Sequence, residues 1–540
     1  MNLLISLTGA ILLLSGAGSL EELDENEYAR YSALAEQPIC INLASTARLR
    51  SCGLFSSYQV ASLQNYIESS GDILSISELG TVPGFTPHVA EALAYFISLE
   101  SYSRAGERRK RKLRQDAMVR YGGSSLSGKY HLEAGDRAEG WLSCRQRLTL
   151  SMAVYGKRPW KLILGDYNAR MGQGLLVWGS FSLGGFSSTS AFSRNASGIS
   201  GTGSWSPSWR GFAAGYDGRR WQASAAVGMD GCLLGAVSFL GSNGSVGANC
   251  IYGNVGKGLS LDWKKSFGHL AFFGEAAWCG SPAIVAGCRW DPSYETSAVA
   301  LARYYPPDYQ AAMAGAVRSG SKTKDEAGIS AGVRVRWFSA TADMAFHPDR
   351  WKKHAKNYQQ FKSVISAAPQ FSAGRWLLSP SARWTERMQL SPKGDAAVPE
   401  WKHEMRCDLK AARGCLDGTL RLDFLQTGTH KPGGLAYLEA GGRWPGRAGE
   451  DSNVPDTSRL QLSLHLRATI CRTDGWTSRI YAYERDLPGA FNVPAWYGRM
   501  HGLSLVAGVR YRRKKTRHQL DLRAGLTKYA EFKIQYAVRL

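Results

Sequence analysis

Long hydrophobic runs are what this 540-residue chain most plainly lacks. No apolar stretch of about 18 residues occurs beyond the first twenty positions, which excludes a bundle of membrane-spanning helices. Cysteine is sparse at 10 residues, too few for a disulfide scaffold. Charged residues are only 20% and hydrophobic ones 44%, so a disordered chain is excluded as well. Acid is scarce relative to base: 44 Asp and Glu against 66 Lys and Arg leave a formal net charge of +22. Catalytic signatures are missing too. No Gly-x-Ser-x-Gly elbow, Walker A loop or His-Glu-x-x-His helix occurs, and the 10 His are scattered without partners at metal-ligand spacing. Neither an enzyme, a metal nor a cofactor is expected.

The charge that is present is unevenly placed. Residues 21–100 carry a net −8, residues 101–120 a net +6 and residues 121–540 a net +24. Ahead of them, Met1–Gly18 is an apolar run ending in small residues and followed at once by acid, so residues 1–20 are expected to be a signal peptide for export.

Residues 38–100 carry two helix–turn–helix patterns. In the first, Leu49 leads into the turn Gly53, Leu54, Phe55, and Val60, Leu63 and Ile67 follow at helical spacing. In the second, the turn Gly84, Phe85, Thr86 precedes Val89, Leu93, Phe96 and Ile97 on one face. Ser45 and Ser57 are expected N-caps. This tandem resembles the helix-hairpin-helix module of the competence DNA receptor family. The resemblance implies that the six turn residues offer backbone N–H groups to a DNA phosphate, as helix N-termini do. The basic run Arg108, Arg109, Lys110, Arg111, Lys112 in the expected linker 101–120 would add phosphate contacts. An acidic module repels DNA, however, and Phe55 and Thr86 replace the family's second turn glycine. Two readings therefore stay open: DNA binding, or docking to a periplasmic protein.

Residues 121–540 read as a transmembrane antiparallel β-barrel of 14–18 strands, which with the helical module makes the fold mainly β. Turn pairs Asp217-Gly218, Asn243-Gly244 and Asp474-Gly475 sit between alternating runs. In Leu460–Ile470, Leu460, Leu462, Leu464 and Leu466 alternate with Gln461, Ser463, His465 and Arg467. The last strand sets Phe532, Ile534, Tyr536, Val538 and Leu540 on one face, resembling the assembly signal of outer-membrane barrels, so barrel assembly machinery and outer-membrane lipid are expected partners. The 17 Trp and 24 Tyr suit interfacial girdles.

Three further segments stand out: Leu164–Leu175, dense in glycine, then Arg303–Tyr309 and Tyr483–Pro488. With the helical pair they resemble a Bacteroidetes group in which such a module precedes an outer-membrane barrel. That implies an outer-membrane protein with a periplasmic N-terminal domain. Asp166, Arg170, Glu484 and Arg485 are expected as a polar cluster in the lumen, either as structural pairs or as a selectivity ring. The functional expectation is DNA binding or uptake; the alternative is a solute or polymer channel whose helical module docks a periplasmic protein or gates the pore, without DNA binding.

Overall fold

A computed structural model gives the arrangement of the chain. It describes all residues except 1–6, 16–19, 24, 37, 102–112, 124, 136, 157–158, 180–188, 195, 242, 294–295, 321, 349–358, 370, 374–375, 394–395, 429, 445–458 and 514–515. Among the described residues, 24 antiparallel strands close into one barrel, and the last strand, Ala530–Arg539, pairs with the first, Leu113–Gly122. The expected 14–18 strands are too few. From Leu113 to Arg539, 427 residues shared among 24 strands leave about 18 each, because most connections are hairpins of two to four residues. The first strand also starts inside the expected linker, taking Leu113–Arg120 into the wall.

Side-chain alternation makes this cylinder inside-out. In the strand Leu148–Tyr155, Leu148, Leu150, Met152 and Val154 are exposed, while Thr149, Ser151, Ala153 and Tyr155 are buried. In Leu460–Arg472 the four leucines are 44–53% exposed, and Gln461, His465, Arg467 and Thr469 are at most 7% exposed. A soluble sheet would bury the leucines. An apolar outer face over a polar interior is the arrangement that hydrocarbon selects, since closure satisfies every strand's backbone. Aromatics mark both rims. Trp160, Trp221, Trp290, Trp337, Trp376 and Trp444 are exposed near the end that holds the barrel termini, and Tyr252, Trp278, Tyr304 and Trp401 near the other.

The two ends differ in their connections. At the terminal end the turns are short, apart from residues 445–459. At the far end lie the long segments 171–208, 306–325 and 473–498. Asp474-Gly475 therefore does not close a wall hairpin as expected: after Arg472 the chain turns inward, and the next wall strand is Arg499–Arg513. Pro488 and Pro494 in that stretch have no N–H to give a strand ladder.

Residues 20–101 build the helical module. Thr46–Ser51 and Ser57–Ser70 form one pair; Ile76–Leu79 and Pro87–Leu93 form the other. Gly53 (φ +73°) and Gly84 (φ +89°) occupy the left-handed region that their tight turns require. Ser45, Ser56, Ser75 and Thr86 cap the four helices, with Ser56 and Gln59 completing a capping box. The expected cap Ser57 is thus one residue late. Pro87–Leu93 also ends earlier than its apolar spacing suggests. Ile97–Ser98 forms a short parallel ladder with Ile39–Cys40 instead, tying the two ends of the module together.

Candidate functional site: the filled lumen

The helical module lies inside the barrel, not free in the periplasm as expected. Three ion-pair latches fix it to different parts of the wall. Arg50 pairs with Asp217, whose other oxygen lies 3.2 Å from Lys161 Nζ, and all three side chains are buried. Arg48 reaches Glu139 at 2.6 Å and Glu133 at 3.3 Å. Glu21 accepts from Arg421 at 2.6 Å, Arg406 at 3.2 Å and the Tyr483 N–H at 3.0 Å. A fourth pair, Glu68 with Arg219, is exposed. Burial alone would raise the Glu21 carboxyl. Arg406 and Arg421, with the hydrogen bonds from Arg421 and Tyr483, outweigh it and hold the group well below the usual carboxylate range.

These latches account for the charge asymmetry in part. The module's acids Glu21 and Glu68 meet wall arginines, while two of its three basic residues, Arg48 and Arg50, meet wall carboxylates. None of the latch residues was expected from sequence. The one available signal was a net −8 segment preceding a net +24 one.

Loops from the far end fold into the lumen and line it on two sides. Residues Met171, Leu175, Leu176 and Val177 pack with Phe192, Tyr305, Tyr309 and Val317 in one buried cluster. Tyr309 Oη donates to the Leu175 carbonyl (2.9 Å) and Tyr305 Oη to that of Val317 (2.8 Å). Glu275 accepts from the N–H groups of Gln173 (2.7 Å) and Leu175 (2.9 Å). A Cβ at Gly172 would stand 2.7 Å from that carboxylate, which accounts for the glycine at that position. On the opposite wall, Ala482, Leu487 and Trp496 are buried and Glu484 bonds Arg523 at 2.7 Å. The inward loop also meets the helical module: Tyr483 Oη and Tyr28 Oη are 3.1 Å apart, and Phe491 packs on Tyr28.

The expected lumen cluster does not assemble. Asp166 pairs with Arg210 at 2.8 Å, on the same outward parity as Leu162 and Leu164. Arg170 donates to the Gly179 carbonyl and lies over Trp178. Glu484 and Arg485 sit on the inward loop, where Arg485 pairs with Glu439 (2.9 Å) and Asp417 (3.5 Å). Sequence spacing could not reveal the separation, because Glu484 and Arg485 ride on the inward segment between strands Leu460–Arg472 and Arg499–Arg513, whose path is set by tertiary contacts.

The hairpin turns are committed to packing. Leu54, Phe55 and Phe85 are buried, and Phe55 and Phe85 meet edge to face at 6.0 Å. The space over Gly53 is taken by Arg30, and that over Gly84 by Tyr58. The Gly53 N–H donates to the Arg50 carbonyl, the Phe85 N–H to that of Val82, and Thr86 Oγ1 accepts from the Val89 N–H. Arg108, Arg109, Lys110, Arg111 and Lys112 lie outside the described residues. Among the described residues, no group of three His, Cys, Asp or Glu could hold a metal ion.

Among the described residues, cavities lie between module and wall. One of about 2140 Å³ is bordered by Arg48, Glu133, Glu139, Trp141 and Tyr155. The other, of about 700 Å³, lies against the last strands of the barrel. They share Arg443, His465, Arg485 and Arg539 as lining residues.

No protein-family model and no curated protein matches the chain. Among solved structures, OccK2 (OpdF) of Pseudomonas aeruginosa is 8% identical, covering 79% of this chain and 95% of its own, with a TM-score of 0.31. OccK7 (OpdD) of the same organism is 11% identical over 79% and 96%, also at 0.31. The outer-membrane protein OmpT of Vibrio cholerae, lacking loop L8, is 10% identical over 59% and 98%, at 0.27. Scores this low carry no argument, and the barrel assignment stands on its own strand register.

Proposed function

We propose that the chain is an outer-membrane channel held shut by its own N-terminal helical module, with the terminal end facing the periplasm. The observation that carries this is the set of latches through Glu21, Arg48 and Arg50, which place a separately cored module inside a membrane-type cylinder. Short turns at the terminal end and long segments at the other suit that orientation. The channel reading is preferred to DNA capture, because the turns that would meet phosphate are spent on the module's own packing. Residues 1–20 are proposed as the export signal. In the full chain Leu7–Ser15 is a helix whose Ala10 and Ile11 are buried. Sequencing the N-terminus of protein isolated from outer membranes tests the cleavage.

Planar-bilayer conductance tests the gate. The full chain should be nearly silent, and a variant lacking residues 21–100 should conduct steadily. Should that deletion fail to assemble, a Glu21→Gln, Arg48→Gln, Arg50→Gln variant should show frequent openings. A folded variant of either kind that stays silent would overturn the proposal.

A further inference from the structure

One seam of the wall is closed by side chains where backbone pairing stops. Between the strands Leu148–Tyr155 and Trp160–Arg170 the ladder runs from Tyr155 opposite Lys161 to Ser151 opposite Gly165. Both strands continue past that point, but they part. Gly165 (φ +92°) turns the second strand, and a Cβ there would stand 2.1 Å from the Leu150 carbonyl oxygen, so no larger residue would pass. Residues 167–170 then pair with Gly198–Gly201, a buried strand end that lies against Arg50 of the helical module.

Asp166 and Arg210 span the gap. Asp166 accepts from the Leu150 N–H at 2.7 Å, and Arg210 donates to the Leu148 carbonyl at 2.5 Å and to Asp166 at 2.8 Å. Behind them the Thr202 N–H lies 3.3 Å from both the Ser151 hydroxyl and the Asp166 carbonyl, so a loop residue bridges the two strands from within. Trp221–Gly228 makes the contrast. It has only eight residues as well, but keeps backbone pairing to both neighbours from Gln222 to Val227.

The wall is also low at the seam. Leu148–Tyr155 has eight residues and its other neighbour Ala138–Cys144 seven, against ten in Ser125–Ala134 and eleven in Trp160–Arg170. A strand needs about 9–11 residues to cross hydrocarbon. At a tilt near ~40°, strands this short rise roughly 18–20 Å, less than an apolar band of about 25 Å. The outer face is apolar there: Leu142, Leu148, Leu150, Leu164 and Phe212 are 42–62% exposed. On the inner face the 2140 Å³ cavity reaches the seam, with Trp141, Asn168, Gly201, Thr202 and Gly203 in its lining.

We propose that this seam is a lateral portal, through which amphiphiles with a hydrocarbon tail and a polar head pass between the lumen and the outer leaflet. The route fixes the class. A solute leaving through the seam enters hydrocarbon, where each unmet hydrogen-bonding group costs several kcal/mol and a tail costs nothing. The cavity suits both parts, since Trp141 and Tyr155 border it beside Arg48, Glu133 and Glu139. Parting the strands breaks the side-chain bonds of Asp166, Arg210 and Thr202, while the ladder below Ser151 stays whole. The proposal deepens the channel reading by naming the solute class and its exit. It rests on the membrane-spanning cylinder and its orientation, and not on release of the module.

Photolabelling of the full chain in liposomes tests it, with dodecanoic acid carrying a diazirine on its tail as the probe and mass spectrometry of the peptides as the readout. Label should appear on the inward residues Trp141, Tyr155 and Asn168 as well as on the outward Leu148 and Leu150. A Leu150→Cys, Asp166→Cys variant, oxidised to a disulfide, should lose inward label at least fivefold, keep outward label, and recover on reduction. An Asp166→Asn, Arg210→Met variant, which removes both charges together, should gain inward label at least threefold and covers the case of a cysteine pair that does not assemble. Inward label that persists in the oxidised variant would mean entry by the lumen mouth, and it overturns the portal. So does inward label that is absent from the unmodified chain or unchanged in the Asp166→Asn, Arg210→Met variant. Either result leaves the module's role as gate untouched, whereas a module-deleted chain that stays silent in bilayers sinks the gate and leaves the portal standing.

Discussion

The lumen is obstructed twice, by different physics. In the terminal half, a helical module is held at its rim by ion pairs. From the far end, loops of the wall itself fold inward and meet in a dry cluster around Phe192, Tyr305 and Tyr309, reaching Ser297 near the terminal end of its strand through Thr189. The first closure has its own core, Phe55, Leu63, Leu79 and Phe96 among others, so it can leave as a unit without exposing that core. The second is continuous with the wall through Tyr167, Phe273 and Val285, so opening it would expose apolar surface. Charge contacts weaken with salt and with protonation, whereas apolar contacts do neither. The comparison assigns gating to the helical module and a fixed narrowing of the pore to the loops.

The largest effect is expected in the loop closure. Phe192→Ala removes a fully buried ring from the cluster and should cost about 3–5 kcal/mol. Hydrogen exchange should show lost protection in residues 171–179, while the latches on the helical module remain protected. Equal loss of protection in both halves would mean that the two closures are one cooperative unit and would break the comparison.

Next comes Glu21→Gln. It removes one of the two carboxylates that Arg406 and Arg421 share, Asp423 staying at 3.0 and 2.7 Å, and breaking a buried pair from one side costs at most on the order of 3 kcal/mol. Protease cleavage within residues 25–101 should rise by more than tenfold in detergent, with the barrel intact. Unchanged cleavage would show that Arg48 and Arg50 suffice and that Glu21 is a passenger.

Acid sharpens the same point. The docked Glu21 carboxyl is depressed, so its contribution is present in full above the ordinary carboxylate value near ~4.3 and disappears as pH falls through the lower docked value. Openings in planar bilayers should therefore stay rare at pH 5 and increase only well below about pH 4. In Glu21→Gln that acid dependence should be reduced. Openings that begin near neutral pH would point to a different titrating group.

How much of this was legible beforehand follows from where the determining interactions lie. Barrel strands are local: the leucine alternation in Leu460–Leu466 and the terminal strand Phe532–Leu540 each read as a lipid-facing edge by themselves. The strand count was not, because hairpins of two to four residues leave few turn signals to count. The two helical hairpins were visible through Gly53 and Gly84. Their place in the lumen depends on contacts such as Arg50 with Asp217, 167 residues apart, and no spacing rule reaches that far. Asp166, Arg170, Glu484 and Arg485 were expected as one lumen cluster, but their partners Arg210, Arg523 and Glu439 are set by register and loop path, and the four are held apart.

The smallest expected effect tests whether all charge contacts of the module count alike. Glu68 and Arg219 pair at the surface, with side chains 47% and 64% exposed. Water and salt screen such a pair, and its ordering costs side-chain entropy, so its net contribution is about 0.5 kcal/mol or less. Glu68→Gln should change protease susceptibility of the module by no more than about twofold, and raising salt should erase even that difference. Glu21→Gln should keep most of its effect at the same salt, because its arginines are nearly enclosed. If Glu68→Gln released the module as readily as Glu21→Gln, burial would not be what distinguishes the latches, and the closure would be held by the sum of its charges, not by three particular contacts.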